Sequence, residues 1–166
     1  TAAVYGDVKG GACSEESPIN PLNPYGRTKY MTEWMLEDFA NAYEDFEYVV
    51  FRYFNVAGAN IDGKIGQCTP NATHLIKIAS QVAAGKRDKM AIFGTDYPTP
   101  DGTCIRDYIH IDDLAQAHVD GLTYLENRGK SETMNCGYGK GYSVKEVIQI
   151  VKEVSGKDFN VEIVPR

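Results

Sequence analysis

Glu47-Tyr48-Val49-Val50-Phe51-Arg52-Tyr53-Phe54 is built almost wholly from β-branched and aromatic residues. Such a run suits a buried strand. On its N-terminal side, residues 25–43 place Met31, Trp34, Met35 and Phe39 at three- and four-residue spacing, which predicts a helix. On its C-terminal side, a loop with Gly58, Gly63, Gly66 and Pro70 leads to residues 74–85. There Leu75, Ile78, Ala79 and Val82 share a helical face, and Gly85 supplies a stop. The alternation continues with a strand at 90–93 and a turn-rich loop at 94–103. A helix carrying Leu114, Ala117, His118, Gly121 and Leu122 follows, with Asp112 as its expected cap. A strand at 133–138, a helix opened by a Ser143–Glu146 capping box, and a strand at 159–164 complete the pattern. Strands alternating with helices predict an α/β fold with mainly parallel pairing. The opening residues 1–6 (Thr-Ala-Ala-Val-Tyr-Gly) also read as a strand, followed by a Gly-, Ser-, Pro- and Asn-rich loop to Pro24. Strand-like runs at both ends predict a piece of a larger fold.

The 166 residues suffice for a real core. A net charge of −6 counts against nucleic acid, whose phosphates demand clustered Lys and Arg. No apolar run has the length of a membrane span and no signal peptide is visible, so no membrane partner is expected. Cys13, Cys68, Cys104 and Cys136 are scattered without a CxxC pair, which suits reduced thiols in a cytoplasmic protein. His74, His110 and His118 have no metal-ligand spacing, so no metal is expected.

Four segments are candidates to carry chemistry. Tyr25-Gly26-Arg27-Thr28-Lys29 sets a phenol and an ammonium one helical turn apart on one face. A nearby cation favours a phenolate, which makes a tyrosine useful as an acid or base. Arg52-Tyr53-Phe54-Asn55 ends the buried strand, where ligands sit in open α/β sheets. Its aromatics suit either a cofactor ring or the core. Arg106 lies in a loop that becomes a strand; its guanidinium suits a diphosphate, but a salt bridge to Asp107 or Asp101 is the simpler expectation. Gly137-Tyr138-Gly139-Lys140-Gly141 has its third glycine misplaced for a dinucleotide loop and reads as a flexible strand-to-helix turn.

Taken together, residues 1–6, 24–29 (Pro-Tyr-Gly-Arg-Thr-Lys), 52–59 (Arg-Tyr-Phe-Asn-Val-Ala-Gly-Ala), 92–97 (Ile-Phe-Gly-Thr-Asp-Tyr) and 101–110 (Asp-Gly-Thr-Cys-Ile-Arg-Asp-Tyr-Ile-His) resemble the extended short-chain dehydrogenase/reductase family from end to end. The resemblance implies part of a doubly wound Rossmann-type NAD-binding fold plus a smaller C-terminal substrate-binding region. Residues 1–56 would be the remnant of the NAD-binding domain, and 57–166 mainly the UDP-sugar region, with segments returning to the first. It implies interconversion of UDP-glucose and UDP-galactose by transient NAD-dependent oxidation at sugar C4. In that scheme Tyr25 is the acid/base, Lys29 binds the nicotinamide ribose, and Thr1 relays the proton. Tyr53 and Phe54 pack near the nicotinamide, which Thr1, Tyr25 and Lys29 also contact. Asn55 and Arg106 hold the diphosphate, Phe93 lies by the uracil, and His74, Leu75 and Tyr108 complete the substrate contacts.

The family's N-terminal GxxGxxG loop is not among these residues, so the 166-residue piece is expected to be inactive alone. The resemblance implies a homodimer of the intact protein through the helix that bears Tyr25 and Lys29. Two rival readings stand. A decarboxylase or dehydratase of the same family is one, against which Ala2 and Ala3 stand where dehydratases carry acids. The other is a non-catalytic nucleotide-sugar-binding module, against which Tyr25 and Lys29 are both present.

Overall fold

The computed structural model describes residues 1–8 and 10–166. In chain order its elements are a 3-10 helix (Ala2–Val4), α1 (Pro24–Ala42), β1 (Val49–Tyr53), β2 (Asn55–Ala57), α2 (Leu75–Ala83), β3 (Lys89–Phe93) and β4 (Ile105–His110). Then follow α3 (Ile111–Glu126), β5 (Glu132–Cys136), β6 (Gly141–Ser143), α4 (Val144–Ser155) and β7 (Asn160–Val164). The chain divides into two compact units, Thr1–Val56 with Ile109–Gly139, and Ala57–Tyr108 with Lys140–Arg166.

In the first unit β1 and β5 pair in parallel, from Val49 opposite Glu132 to Tyr53 opposite Cys136. Alternation along β1 gives it two buried faces of different character. Phe51 and Tyr53 pack with Ile109, Leu114, Ala117 and Cys136, so α3 covers that side. The Phe51 ring lies 5.0 Å from the His118 ring. Val50 and Arg52 are buried on the other side, where Glu33 of α1 bonds Arg52. Helices on both faces of a parallel pair are the doubly wound pattern.

In the second unit β3 and β7 pair in parallel, from Lys89 opposite Asn160 to Phe93 opposite Val164. Ala79, Val82, Met90, Ile92 and Ile148 form its core under α2 and α4. β4 and β6 pair antiparallel, with Ile105 opposite Ser143. Ser143 caps α4 in a full capping box: its hydroxyl accepts from Glu146 N at 3.1 Å and its N–H donates to Glu146 Oε2 at 2.7 Å. Asp101 anchors the same corner, accepting from Thr103 N (2.8 Å), Thr103 Oγ1 (2.7 Å) and the Ser143 hydroxyl. These bonds, the Ser143 hydroxyl foremost, hold the Asp101 carboxyl below its usual range.

Three local readings need correction. Residues 2–4 are a 3-10 helix and not a strand, because Thr1 Oγ1 accepts from Ala3 N at 3.4 Å and Tyr5 N donates to Ala2 O at 3.1 Å. Val4 and Tyr5 are buried all the same. The cap of α3 is His110, whose Nδ1 accepts from Asp112 N at 3.2 Å. Asp112 and Asp113 lie in the first turn, where their charge complements the helix dipole. The glycine-rich segment 137–141 leads into β6 before α4 begins. The apolar stripe of α1 faces outward: Trp34 is 53% and Met35 63% exposed. The inward face carries Gly26, Tyr30, Glu33, Leu36 and Ala40, because its strand partner is the arginine at position 52.

Among the described residues no helix is long and apolar enough to cross a membrane, and no group of His, Cys, Asp or Glu side chains could hold a metal ion.

A latch closes the entry to the β1–β5 pair. Glu47 Oε2 accepts from Ser131 Oγ at 2.6 Å and from Ser131 N at 2.5 Å, while Lys130 Nζ donates to Oε1 at 2.9 Å. The Ser131 hydroxyl, then the Lys130 and Ser131 N–H groups, lower the Glu47 pKa from 4.5 to about 2. A depressed carboxylate contributes stability that is complete above its unfolded pKa and is lost as pH falls through the folded value. Glu47→Gln is therefore expected to lower the unfolding midpoint at pH 7, and the gap to the native protein should shrink between pH 4.5 and about 2. Thermal scans across that range check it; a gap that stays constant with pH would contradict the assignment.

Candidate active site

The first unit holds six of the singled-out residues: Thr1, Tyr25, Lys29, Tyr53, Phe54 and Asn55. α1 begins where Asn23 accepts from Gly26 N at 2.9 Å and Pro24 occupies the first turn, so the helix starts one residue before Tyr25. Tyr25 is 52% exposed. The Lys29 ammonium lies 5.7 Å from the centre of its ring, within cation–π range. Thr1 sits beside β1, its N donating to Phe51 O at 3.1 Å. Its hydroxyl oxygen accepts from Ala3 N, which leaves the hydroxyl proton for an outside acceptor.

Gly26 brings the Tyr25 turn and the Thr1 segment together. A Cβ at position 26 would lie 2.7 Å from Ala3 O and 2.9 Å from Pro21 Cβ. Only glycine allows α1 to press this closely on the 3-10 helix. A second glycine shapes the other end of that segment: Gly6 has φ +70°, and a Cβ there would lie 2.0 Å from Asn20 O.

At the carboxyl end of β1, Tyr53 packs into the core beneath α3. Phe54 is half-buried, its N donating to Cys136 O at 3.1 Å. Asn55 is exposed.

The second unit holds His74, Leu75, Phe93, Arg106 and Tyr108. His74 precedes α2 and is exposed, its Nδ1 lying 2.7 Å from Gln67 Nε2. Leu75 packs on the unit's core. Phe93 ends β3 with 66% of its surface exposed. Arg106 and Tyr108 are two apart on β4 and so project from the same face. Burial raises the Tyr108 pKa, and the Arg106 charge opposes that rise. The expected salt bridge of Arg106 does not form: its Nη1 donates to Ile105 O at 2.9 Å, and among the described residues no carboxylate pairs with it. Asp101 is already engaged by Thr103 and Ser143.

The sequence reading missed the groups that hold the first unit's site. Arg52 Nη2 donates to Glu33 Oε2 at 2.7 Å and Nε reaches the same oxygen at 3.2 Å. Nη1 donates to the Tyr5 hydroxyl at 3.0 Å, which donates onward to Asn135 Oδ1 at 2.7 Å. Burial works against the guanidinium's charge, but the bonds to Glu33 and Tyr5 outweigh it and raise its pKa. The signal was present: an arginine inside an apolar strand needs a carboxylate partner.

Comparison with known proteins fits this geometry. Residues 1–137 match the model of the NAD dependent epimerase/dehydratase family. The UDP-glucose 4-epimerase of Azospirillum brasilense is 57% identical over 157 residues, covering 95% of this chain and 45% of that protein. The crystal structure of UDP-glucose 4-epimerase from Brucella ovis in complex with NAD superposes with a TM-score of 0.92 at 45% identity, over 99% of this chain and 50% of that one. The enzyme from Bifidobacterium longum, in complex with NAD+ and UDP, gives a TM-score of 0.91 at 37% identity, over 100% of this chain and 50% of that one. The chain thus spans about half the length of the relatives it matches.

The close approach at Gly26 can be tested directly. Alanine favours a helix interior over glycine by about 1 kcal/mol, so Gly26→Ala would stabilise an isolated α1. Here the added methyl must push α1 off the Ala3 carbonyl. We expect the unfolding midpoint to fall, since forcing a methyl into a close-packed contact typically costs about 1–3 kcal/mol. Thermal unfolding followed by circular dichroism checks it; a midpoint at or above the native one would show that the close approach does not constrain α1.

Proposed function

The chain belongs to the NAD dependent epimerase/dehydratase family, and on that premise we propose that it supplies the acid/base and substrate-binding residues of a UDP-glucose 4-epimerase. The enzyme would interconvert UDP-galactose and UDP-glucose in the cytoplasm. The observation that carries this reading is the first unit's cluster: Lys29 over the Tyr25 ring, with Gly26 pressed against the segment that begins at Thr1.

The residues present fit the nicotinamide half of NAD. Phe54 follows the carboxyl end of β1, where α/β sheets bind ligands, and offers an aromatic face. Lys29 offers an ammonium suited to ribose hydroxyls. NAD, when bound, would accept hydride from sugar C4 and return it to the opposite face of the resulting ketone. Tyr25 Oη takes the proton from the sugar 4-hydroxyl and returns it once the configuration is inverted. The Thr1 hydroxyl, its oxygen already accepting from Ala3 N, donates to the sugar oxygen and orients it. In the second unit, exposed Phe93 suits a base face and Arg106, with no ion-pair partner among the described residues, suits a phosphate.

Assay of a protein of the relatives' length with UDP-galactose tests the proposal. UDP-glucose is the expected product, and loss of water or carbon dioxide would point to the rival chemistries instead. Tyr25→Phe removes the proton-transfer group and should lower kcat about 10²- to 10⁴-fold with little change in KM. Undiminished turnover in that variant would sink the assignment.

The outward stripe of α1 supports a homodimer. Met31, Trp34, Met35 and Phe39 run along one helix at helical spacing and are all exposed. A second copy presenting the same stripe would bury it around a two-fold axis. In a protein of the relatives' length, Met35→Lys with Trp34→Glu is expected to shift the sedimentation coefficient from dimer to monomer. A native protein that sediments as a monomer would refute this part of the proposal.

A further inference from the structure

We propose that Arg52 and Glu33 are positioning residues: one buried guanidinium fixes the three segments that carry Tyr25, Lys29, Thr1 and Phe54, without touching the reacting groups. This rests on the epimerase reading above and extends it to residues outside the reacting cluster.

Three observations carry it. Tyr25, Lys29 and Glu33 follow one another at four-residue intervals, so they line one side of α1. A two-pronged grip on Glu33 therefore fixes both the rotation and the axial register of the face that bears Tyr25 and Lys29. Second, the remaining arm of the same guanidinium bonds the Tyr5 hydroxyl, and the Arg52 carbon lies 5.0 Å from the Tyr5 ring centre. Tyr5 closes the 3-10 helix that Thr1 opens. Third, Arg52 belongs to β1 itself, two residues before Phe54. One side chain thus ties together the helix of the phenol, the segment of the hydroxyl and the strand of the aromatic.

The chemistry of the pair suits positioning better than bulk stability. Both side chains are nearly buried, at 10% and 12% exposure. Buried pairs can often be replaced by apolar residues of similar size with no loss of stability, so their distinctive gift is direction. Arginine's rigid fork fixes a carboxylate in both angle and distance, which lysine's point charge does not.

The test uses Arg52→Met/Glu33→Met and Arg52→Lys in a protein of the relatives' length. The double variant exchanges the charges for apolar side chains of similar length and should melt within a few degrees of the native protein. Its kcat for UDP-galactose should fall about 10²-fold, the scale of a misplacement of about 1 Å, with KM changed less than about threefold. Amides of residues 28–33 in α1 should exchange about tenfold faster while those of α3 keep their protection. Arg52→Lys, which keeps the charge and loses the fork, should recover part of the lost kcat. Unchanged kcat, a loss that only tracks the folded fraction, or equal acceleration in α1 and α3 would each overturn the inference. Should the double variant not fold, the same readouts on Arg52→Lys decide. Absent turnover in the native protein would sink the epimerase reading alone, since exchange in α1 against α3 still judges the clamp.

Discussion

A guanidinium buried beside a strand is costly unless each of its prongs finds a partner, and the first unit is arranged around meeting that demand at Arg52. Its partners come from α1, from the end of the 3-10 helix, and from the loop before α1, where Glu15 O accepts at 3.4 Å. Asn135 on β5 joins through the Tyr5 hydroxyl, and its own N–H donates to Glu15 Oε1 at 2.6 Å. Breaking one side of such a pair typically costs about 3–5 kcal/mol, because the remaining charge is left buried. That penalty makes alternative placements of α1 against β1 expensive. Apolar packing alone would tolerate a slide of the helix; a forked ion pair does not.

Parallel pairing imposes the second constraint. Parallel neighbours cannot be joined by a hairpin and need long crossovers. β1 meets β5 only after the chain has left for the second unit and returned, and β3 meets β7 only after the chain has visited the first. Each unit is therefore assembled from two separated stretches of sequence. Tyr25 and Phe54 come from the first stretch of their unit, whereas Asn135, which steadies Tyr5, comes from the second. The first unit takes residues 1–56 and 109–139, and the second takes 57–108 and 140–166.

Much of this was legible in the sequence, for reasons that can be named. The β1 segment is so rich in β-branched and aromatic residues that only a buried strand accommodates it, and the Ser143–Glu146 spacing announces its capping box. Tyr25 and Lys29 share a helical face because four residues make one turn, whatever the surroundings. Other features depend on groups distant in sequence. Nothing local tells whether Ala2–Val4 is extended or coiled, since either form buries Val4 and Tyr5. Asp112 is a good cap by composition, but His110 lies in position first. The stripe from Met31 to Phe39 marks a helix correctly, but only the structure shows that it faces outward, opposite the side that meets Arg52. β6 is three residues long and exists only through its pairing with β4.

The geometry of α1 shows why two fixings are needed. At Gly26 the helix presses on the Ala3 carbonyl; at Glu33 it is held by Arg52. Seven residues at 1.5 Å rise separate these points by about 10 Å. One contact would leave the helix free to pivot, and a pivot at either end swings the other. Two contacts on the same body fix its axis, and the Glu33 fork fixes its rotation as well. Lys29 lies between the two points, and Tyr25 lies one residue before the first, so neither stands on an unsupported lever. The opposite face is then left without duties inside the unit. Met31, Trp34, Met35 and Phe39 can be apolar and exposed at no cost to the position of the phenol. One 19-residue helix can thus carry acid/base groups at its head, a polar anchor along its inner side and an apolar surface on its outer side.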